Sequence, residues 1–590
     1  MSINFFSKKK WYRKSGEIQP DEILLDSSNL PNYDTTQFEG RLERPISRPT
    51  LFGVAIFFVI IAGIFMIQAL DLQVIHGQEY FQKSQNNLLR PVPIFAGRGV
   101  IYDRNGVRLA WNAPNQKAID TLLASTSLMG TNQASSSMNE IFDGEDNVAL
   151  REYATSSGLS HVLGYVQYPS KDNNGFYYQN DFIGVAGAEK FFDEKLKGDP
   201  GSRLVEVDAR GKTVSENIVK PPAHGDNVTL SIDSRVQSEL YKSLQDIALR
   251  VGYTGGAGVI MDANTGEIIA MTSYPEYSSQ VMSDKTDSTE VRRELSDPNH
   301  LFLNRAVSGL FTPGSIIKPY LAMGALTEHT LDPLKTIFDP GYITIPNPYD
   351  STKSTTFKDW KALGTLDLRH AIAMSSDVFF YMVGGGYKDQ KGLGIANINK
   401  YLSMFGFGEA VPESFVSGPS GNLSSPQWKK RTFNEDWFLG DTYHSAIGQY
   451  GTQVTPVQVV RAVAAMANEG TLLVPTILKD DGPNVERMVP LAKPNFVIVH
   501  EGMRLGVEVG TSVALNVPYA QFAGKSGTAE LGTAKANVNS WITGFWPYDH
   551  PKYAFAVTLE HGSVQNLIGA AAAMRQTIDW MSVNTPEYFK

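Results

Sequence analysis

Between Pro49 and Leu70 the chain carries no charged residue, and Leu51–Ile67 is almost wholly apolar (LFGVAIFFVIIAGIFMI). A run of that length crosses a hydrocarbon core as one helix. It is apolar on every side, whereas a helix packed on a soluble core shows a one-sided stripe. Gln68-Ala69-Leu70-Asp71 offers no small-residue cleavage site of the kind that ends a signal peptide. An uncleaved anchor over 49–70 is therefore expected. Lys8, Lys9, Lys10, Arg13, Lys14, Arg41, Arg44 and Arg48 precede it, and the first basic residues after it are Lys83 and Arg90. That bias puts the N-terminus in the cytoplasm and the large remainder outside.

The rest of the chain reads as short periodic segments broken by turn signals. Residues 1–48 are polar and without sustained periodicity, a cytoplasmic tail. Asp71–Asn87 continues the anchor as a polar helix. Residues 92–112 predict a β-hairpin turning at Arg104-Asn105-Gly106. Residues 121–146, rich in Ser, Thr, Asn and Gly, predict a poorly ordered excursion. Gly184–Val214 reads as a charged helix followed by a strand pair around Asp208-Ala209-Arg210-Gly211. A Pro/Gly/His loop at 221–226 marks a domain boundary, giving a membrane-proximal domain over 71–225 and a large mixed domain over 226–590.

Within that large domain Val228–Ile232 predicts a strand, Arg235–Val251 an amphipathic helix, and Ala257–Tyr274 a hairpin closed at Asn264-Thr265-Gly266. Ser540–Trp546 and Tyr553–Glu560 predict two more strands, and Ala570–Met581 a closing helix. Strands at both ends with helices between them predict an α/β domain on an antiparallel sheet whose terminal segments pair. No internal repeat is evident.

Composition narrows the function. With 42% hydrophobic and 19% charged residues the 590-residue chain is ordinary globular protein, enough for roughly two or three domains. A net charge of −9 argues against a general nucleic-acid binder. The absence of cysteine excludes disulfides, thiolate metal sites and a cysteine nucleophile.

Three motifs then occur in order: Ser315-Ile316-Ile317-Lys318, Ser375-Ser376-Asp377 and Lys525-Ser526-Gly527-Thr528. They match the Ser-x-x-Lys, Ser-x-Asn and Lys-Thr-Gly set of serine acyl-transfer enzymes. The tail holds decoys, Ser7-Lys8-Lys9-Lys10 and Lys14-Ser15-Gly16, but no element there would aim their side chains. Pro313-Gly314 turns into an apolar run at Tyr320–Leu326, so Ser315 falls at a helix N-terminus with Lys318 on the same face. Pro319 is tolerable only in a first turn and fixes the helix start independently. A dipole and a dry site favour a neutral Lys318 amine that accepts the serine proton. A helix cap with a solvated lysine is the plain alternative.

Ser375 is a candidate proton relay and Asp377 a candidate orienter of Lys318 and Lys525, although an N-cap alone explains this segment as well. Tyr519–Leu531 reads as a strand in which Gly524 and Gly527 bracket Lys525 and permit close approach of a ligand. An exposed edge strand with a solubilising lysine is the alternative there. The backbone N–H groups of Ser315 and Thr528 suit an oxyanion hole, and Lys525 with the hydroxyls of Ser526 and Thr528 suits a substrate carboxylate.

Taken together the sequence resembles class B penicillin-binding proteins. Gly97-Arg98-Gly99-Val100-Ile101-Tyr102-Asp103-Arg104-Asn105-Gly106, Ser160–Val166 and Gly184–Gly198 (with Gly187, Glu189 and Leu196) look like elements of that family's pedestal. Asn304-Arg305-Ala306 and Ile447-Gly448-Gln449-Tyr450-Gly451 followed by Thr455-Pro456 fit its catalytic domain. Asp377, Phe357-Lys358-Asp359-Trp360 and Lys525-Ser526-Gly527-Thr528-Ala529 look most like the cell-elongation type. Division-type members more often end the middle motif in Asn.

The resemblance implies an antiparallel five-stranded sheet flanked by helices, an elongated mainly-β dimerisation-type pedestal and a single transmembrane helix. It implies a D,D-transpeptidase with Ser315, Lys318, Ser375, Asp377 and Lys525 catalytic and Ser526, Gly527 and Thr528 binding substrate. Ser315 attacks the penultimate D-Ala carbonyl of a stem peptide, the terminal D-Ala leaves, and a neighbouring stem amine takes the acyl group. β-Lactams are expected to acylate Ser315 as mimics of D-Ala-D-Ala, and a SEDS-family glycan polymerase is the expected membrane partner. No cofactor is expected. Some elongation-type relatives hold a metal near the middle motif through His and Cys; here Thr365 stands at the His position and there is no Cys, so no metal is expected. The segment between Trp111 and Ser160 is short for the pedestal's head. A D,D-carboxypeptidase or β-lactamase shares the three motifs, and a catalytically silent scaffold for the polymerase is a further alternative.

Overall fold

The computed structural model describes residues 47–79, 89–113, 149–172, 177–207, 213–347 and 350–590. The tail, the 121–146 segment and the turn at 208–211 lie outside these. Two compact units result, 1–88 and 89–590.

In the first unit α1 spans Arg48–Leu70. Ser47 caps it by accepting the Thr50 N–H, and Pro49 sits in its first turn. No residue of α1 is buried, so its Phe, Ile and Val side chains face outward all round. At 1.5 Å per residue it is about 35 Å long, enough for a hydrocarbon core. It continues through a π turn at Asp71–Ile75, making one helix of 28 residues apolar and long enough to cross a membrane.

The second unit begins with a small β pedestal. The expected hairpin over 92–112 forms only in part. Ile101–Tyr102 pairs with Arg108–Ala113 around the Arg104-Asn105-Gly106 turn. Leu89–Ile94 instead pairs with Gly201–Val207, which also takes Thr213–Lys220, to make a separate three-stranded sheet. The strand at Val228 is shorter than expected, and it joins the pedestal: Val228–Thr229 runs parallel to Ile101–Tyr102.

One carboxylate holds the pedestal's interior. Glu189 accepts from Arg98 Nε at 2.6 Å through one oxygen and from Arg151 Nε at 2.7 Å through the other, and all three side chains are wholly buried. Arg98 Nη2 also reaches Asp193 at 2.8 Å, and Arg151 Nη1 reaches Asn112 at 3.0 Å. Charges removed from water persist only when paired and hydrogen-bonded in this way.

The large domain centres on a five-stranded antiparallel sheet: β1 (Gly255–Asp262), β2 (Ile268–Tyr274), β3 (Ala523–Leu531), β4 (Asn537–Trp546) and β5 (Tyr553–Ser563), in spatial order β2-β1-β5-β4-β3. Both faces are covered, which is why β1 and β5 read as nearly continuous apolar runs. Ile260, Ile542, Trp546, Phe555 and Val557 pack under α2 (Ser234–Val251) and α8 (Ala570–Asn584). Their neighbours Val259, Met261, Trp541, Phe545 and Ala556 pack on the other face with Val459 and Val463. On that side run α3 (Lys318–Thr327), α4 (Leu368–Met374), α5 (Asp377–Gly385), α6 (Pro456–Ala467) and α7 (Lys493–Glu508). The same core cluster takes in Ile101, Leu109, Val162 and Leu196 of the pedestal, so the apolar interior is continuous between the two parts.

Glu189→Ala strands two buried guanidinium groups, and breaking such a pairing typically costs about 3–5 kcal/mol. Thermal unfolding of this variant is expected to show a markedly lowered midpoint, with Glu189→Gln falling between it and the wild type.

Candidate active site

The three motifs come from distant parts of the chain and meet at one edge of the sheet. Ser315 lies in a 3-10 turn, Gly314–Ile317, that runs straight into α3, so Ser315 itself stands three residues before the first residue of the α-helix. Pro319 occupies the first turn of α3, as its chemistry requires. Two close approaches lock the turn. Gly314 N–H donates to Gly448 O at 3.0 Å, and a Cβ on Gly448 would lie 2.1 Å from Gly314 O. This is the physical content of the Ile447-Gly448-Gln449 segment. Trp541 of β4 donates from Nε1 to Thr312 O at 3.0 Å, tying the turn to the sheet.

β3 is the edge strand that carries the third motif. Gly527, expected to permit close approach of a ligand, lets the turn that carries Ser315 approach the strand. A Cβ there would sit 2.8 Å from Ile316 Cγ2 and 3.0 Å from Pro313 O. Thr528 is exposed on the strand, whereas the Ser526 hydroxyl donates to Thr511 Oγ1 at 2.7 Å. Thr511 also bonds through its backbone N–H to Ala373 O at 3.1 Å, at the end of α4.

The middle motif is the break between α4 and α5. Ser375 ends α4 in the left-handed region, with φ 59°, a conformation a non-glycine residue adopts only when its surroundings impose it. Ser376 caps α5 by accepting the Phe379 N–H at 2.9 Å. The sharp turn frees the Ser375 carbonyl and hydroxyl to face the two lysines.

Lys318 and Lys525 are both wholly buried. Lys318 Nζ donates to Ser375 O at 2.7 Å, pairs with Asp377 Oδ1 at 2.6 Å, and lies 3.4 Å from Ser375 Oγ. Lys525 Nζ reaches the same Ser375 Oγ at 2.8 Å and donates to Ser526 O at 2.9 Å. Burial, reinforced by the charge of Lys318, pushes the Lys525 ammonium well below its usual range. The charged form is therefore disfavoured at Lys525, while Lys318, the amine that the sequence pattern expected to be neutral, is paired with the Asp377 carboxylate. Among the described residues the Ser315 hydroxyl makes no hydrogen bond; Lys318 is turned toward Asp377 and Ser375.

Residues 256–579 match the penicillin-binding protein transpeptidase domain, more than half of the chain, and residues 145–230 match the penicillin-binding protein dimerisation domain. The chain belongs to the penicillin-binding protein transpeptidase family. It is 30% identical to the peptidoglycan D,D-transpeptidase MrdA of Acinetobacter baumannii over 88% of this chain and 86% of that protein. It is 28% identical to MrdA of Escherichia coli strain K12, over 88% and 92%. A solved chain from a peptidoglycan synthase complex that coordinates polymerization and crosslinking superimposes with a TM-score of 0.67. That pair shares 26% identity and covers 90% of this chain and 97% of that one.

All five expected catalytic residues of this penicillin-binding protein are thus gathered around one cleft edge, with Ser526, Gly527 and Thr528 on the adjoining strand. The sequence pattern missed Thr511 and Trp541, which act on the site only through contacts across long separations. It also missed the role of Asp339, an acid in a short strand at Ile337–Asp339 that accepts from Ser376 Oγ at 2.7 Å. No local signal marks these three.

Lys525→Met is expected to slow acylation by a penicillin about a hundredfold or more, the scale of a lost proton-transfer partner, and yet to raise thermal stability. The folded state depresses this lysine, so the wild type binds fewer protons folded than unfolded and is penalised below the free-lysine pKa of about 10.4. The stability gain of the variant should therefore be small near pH 10 and grow as pH falls, before levelling off.

Proposed function

We propose that Ser315 is the nucleophile through which this penicillin-binding protein cross-links peptidoglycan stem peptides as a serine-type D,D-transpeptidase of the elongation type. The observation that carries the assignment is the largely buried chain Asp377–Lys318–Ser375–Lys525, with contacts of 2.6, 3.4 and 2.8 Å, in which Lys318 lies three residues after Ser315. The relatives named MrdA support the D,D-transpeptidase activity and the elongation type.

In the resting site the Lys318 ammonium is paired with Asp377 and Lys525 is neutral. A substrate carboxylate arriving at Lys525, Ser526 and Thr528 stabilises an ammonium on Lys525. A proton passes from Lys318 to Ser375 Oγ while the Ser375 proton passes to Lys525. Lys318 is now neutral and accepts the proton of Ser315 as its Oγ bonds to the penultimate D-Ala carbonyl carbon. The backbone N–H groups of Ser315 and Thr528 receive the oxyanion. Collapse breaks the C–N bond, and the departing D-Ala nitrogen takes a proton from Ser375, which Lys318 resupplies. A second stem's amine then attacks the ester, gives up its proton to the same chain, and Ser315 leaves as the hydroxyl. A β-lactam follows the first half of this path and stops at the acyl-enzyme.

The division of the chain into a tail over 1–48, an anchor over 49–70, a pedestal over 71–225 and a transpeptidase domain over 226–590 fits this role. The cluster of basic residues before the anchor supports an N-terminus inside and a catalytic domain on the outer face of the cytoplasmic membrane. The synthase-complex relative supports a SEDS-family glycan polymerase as partner.

Full-length Ser315→Ala in detergent is expected to take up no fluorescent penicillin, whereas the wild type gains one acyl adduct on the peptide containing Ser315. An adduct mapped to another serine would reject the assignment. Rapid turnover of a chromogenic cephalosporin would point to a hydrolase instead, and a stable acyl-enzyme is the expected result.

A further inference from the structure

Ser376, the middle residue of the second motif, has no part in the proton path, yet it is wholly buried and surrounded by acids. Its Oγ lies 2.7 Å from Asp339 Oδ2 and 3.1 Å from Asp359 Oδ2, and it accepts the Phe379 N–H at 2.9 Å. A hydroxyl has one hydrogen to give. It cannot satisfy two ionised carboxylates, and the second contact would set lone pair against lone pair. The other oxygens are already engaged as acceptors: Asp339 Oδ1 takes the Gly341 N–H at 2.7 Å, and Asp359 Oδ1 takes the Trp360 N–H at 2.7 Å. Asp359 Oδ2 additionally takes the Val378 N–H at 2.8 Å, in the first turn of α5. One proton resolves the conflict. Carried by Asp359, it completes Ser376 as donor to Asp339 and double acceptor.

We propose that Asp339 and Asp359 share a proton across Ser376, and that this carboxyl pair positions the α4–α5 break, and with it Ser375 and Asp377, against the two active-site lysines. The two acids come from opposite sides, Asp339 from the strand Ile337–Asp339 and Asp359 from the end of the ribbon strand 350–358. Both clamp one residue whose neighbours on either side contact Lys318. These acids are positioning residues: they reach the chemistry only through Ser376 and Val378.

The pair titrates. Burial and the hydrogen bond with Asp339 push Asp359 up to about 6. The groups facing it are Asp339, Lys318 from α3, whose charge opposes the rise, and Tyr381 from α5, itself raised chiefly by burial and also by Asp377 and Asp359. A folded-state value above the unfolded one means that the clamp's stability is complete at low pH and is lost as pH rises through about 6.

The inference rests on Ser315 as nucleophile for its kinetic readout alone. Asp359→Asn keeps the shape and the donor to Ser376 at every pH; its amide nitrogen gives up the contact from the Val378 N–H, an offset that does not vary with pH. Its acylation rate constant with fluorescent penicillin, divided by that of the wild type, is expected to step up by as much as about tenfold as pH rises through 6, because slight misplacement of catalytic groups costs rates on that scale. Taking the ratio cancels other titrations, including that of His444, which burial and then Lys535 push down. Its unfolding midpoint relative to the wild type should rise over the same window, in a Ser315→Ala background as well, so failure of the clamp is distinguishable from failure of the nucleophile. Asp359→Ala should acylate more slowly than the Asn variant at all pH values. Asp339→Asn gives the same loss of pH dependence if Asp359→Asn does not fold. A ratio flat from pH 5 to 8, equal rates for the Asn and Ala variants, or a profile that shifts on adding EDTA would overturn the proposal.

Discussion

Two lysine amines are buried on either side of one serine hydroxyl, and this crowding governs the rest of the site. Two ammonium groups in a dry space repel, and each loses the hydration that a charge needs. Among the described residues a single carboxylate, Asp377, pairs with one of them, at 2.6 Å from Lys318. The other, Lys525, is left to burial and to the field of the first, and its charged form is disfavoured. The imbalance gives the site one mobile proton and a direction in which to move it. It also makes the position of Ser375 critical, since among the described residues it hydrogen-bonds to both amines. Its left-handed backbone is the strain that the surrounding helices, caps and acids maintain.

The approach of the third-motif strand to the turn of Ser315 follows from the same need. Gly527 lets β3 press against Pro313 and Ile316, and Gly448 lets the loop after residue 446 close over Gly314. Each contact fixes the turn of Ser315, the first against the strand and the second against the loop. Ser315 is thus held by packing rather than by hydrogen bonds to its own hydroxyl.

Much of this was legible in the amino-acid sequence. The apolar run at 51–67, the hairpin at Asn264-Thr265-Gly266 and the terminal strands announce themselves through periodicity and turn residues. Ser315, Lys318, Ser375, Asp377 and Lys525 announce themselves through spacing. What the pattern could not reveal depends on contacts between distant segments. Leu89–Ile94 alternates as well as any hairpin strand, but its partner lies more than a hundred residues away. Val228 reads as the first strand beyond the 221–226 loop, and its pairing partner is Ile101, back in the pedestal sheet. Asp377 pairs with Lys318 and leaves the charge on Lys525 disfavoured by burial, a preference of geometry that spacing does not encode. Asp339 and Thr511 carry no motif; they matter because of what folds onto them.

The spatial order β2-β1-β5-β4-β3 also constrains how the molecule is made. Its middle strand, Tyr553–Ser563, is contributed by the last 40 residues of the chain, and its neighbour β1 was synthesised nearly 300 residues earlier. Until that strand arrives, β1 and β2 are a two-stranded fragment with an open apolar edge, and the third motif has no sheet to belong to. Such long-range pairing is slow and exposes aggregation-prone edges. The sheet that carries the site is therefore incomplete until Tyr553–Ser563 has been made, and a chain interrupted before residue 553 holds all three motifs without the scaffold that brings them together.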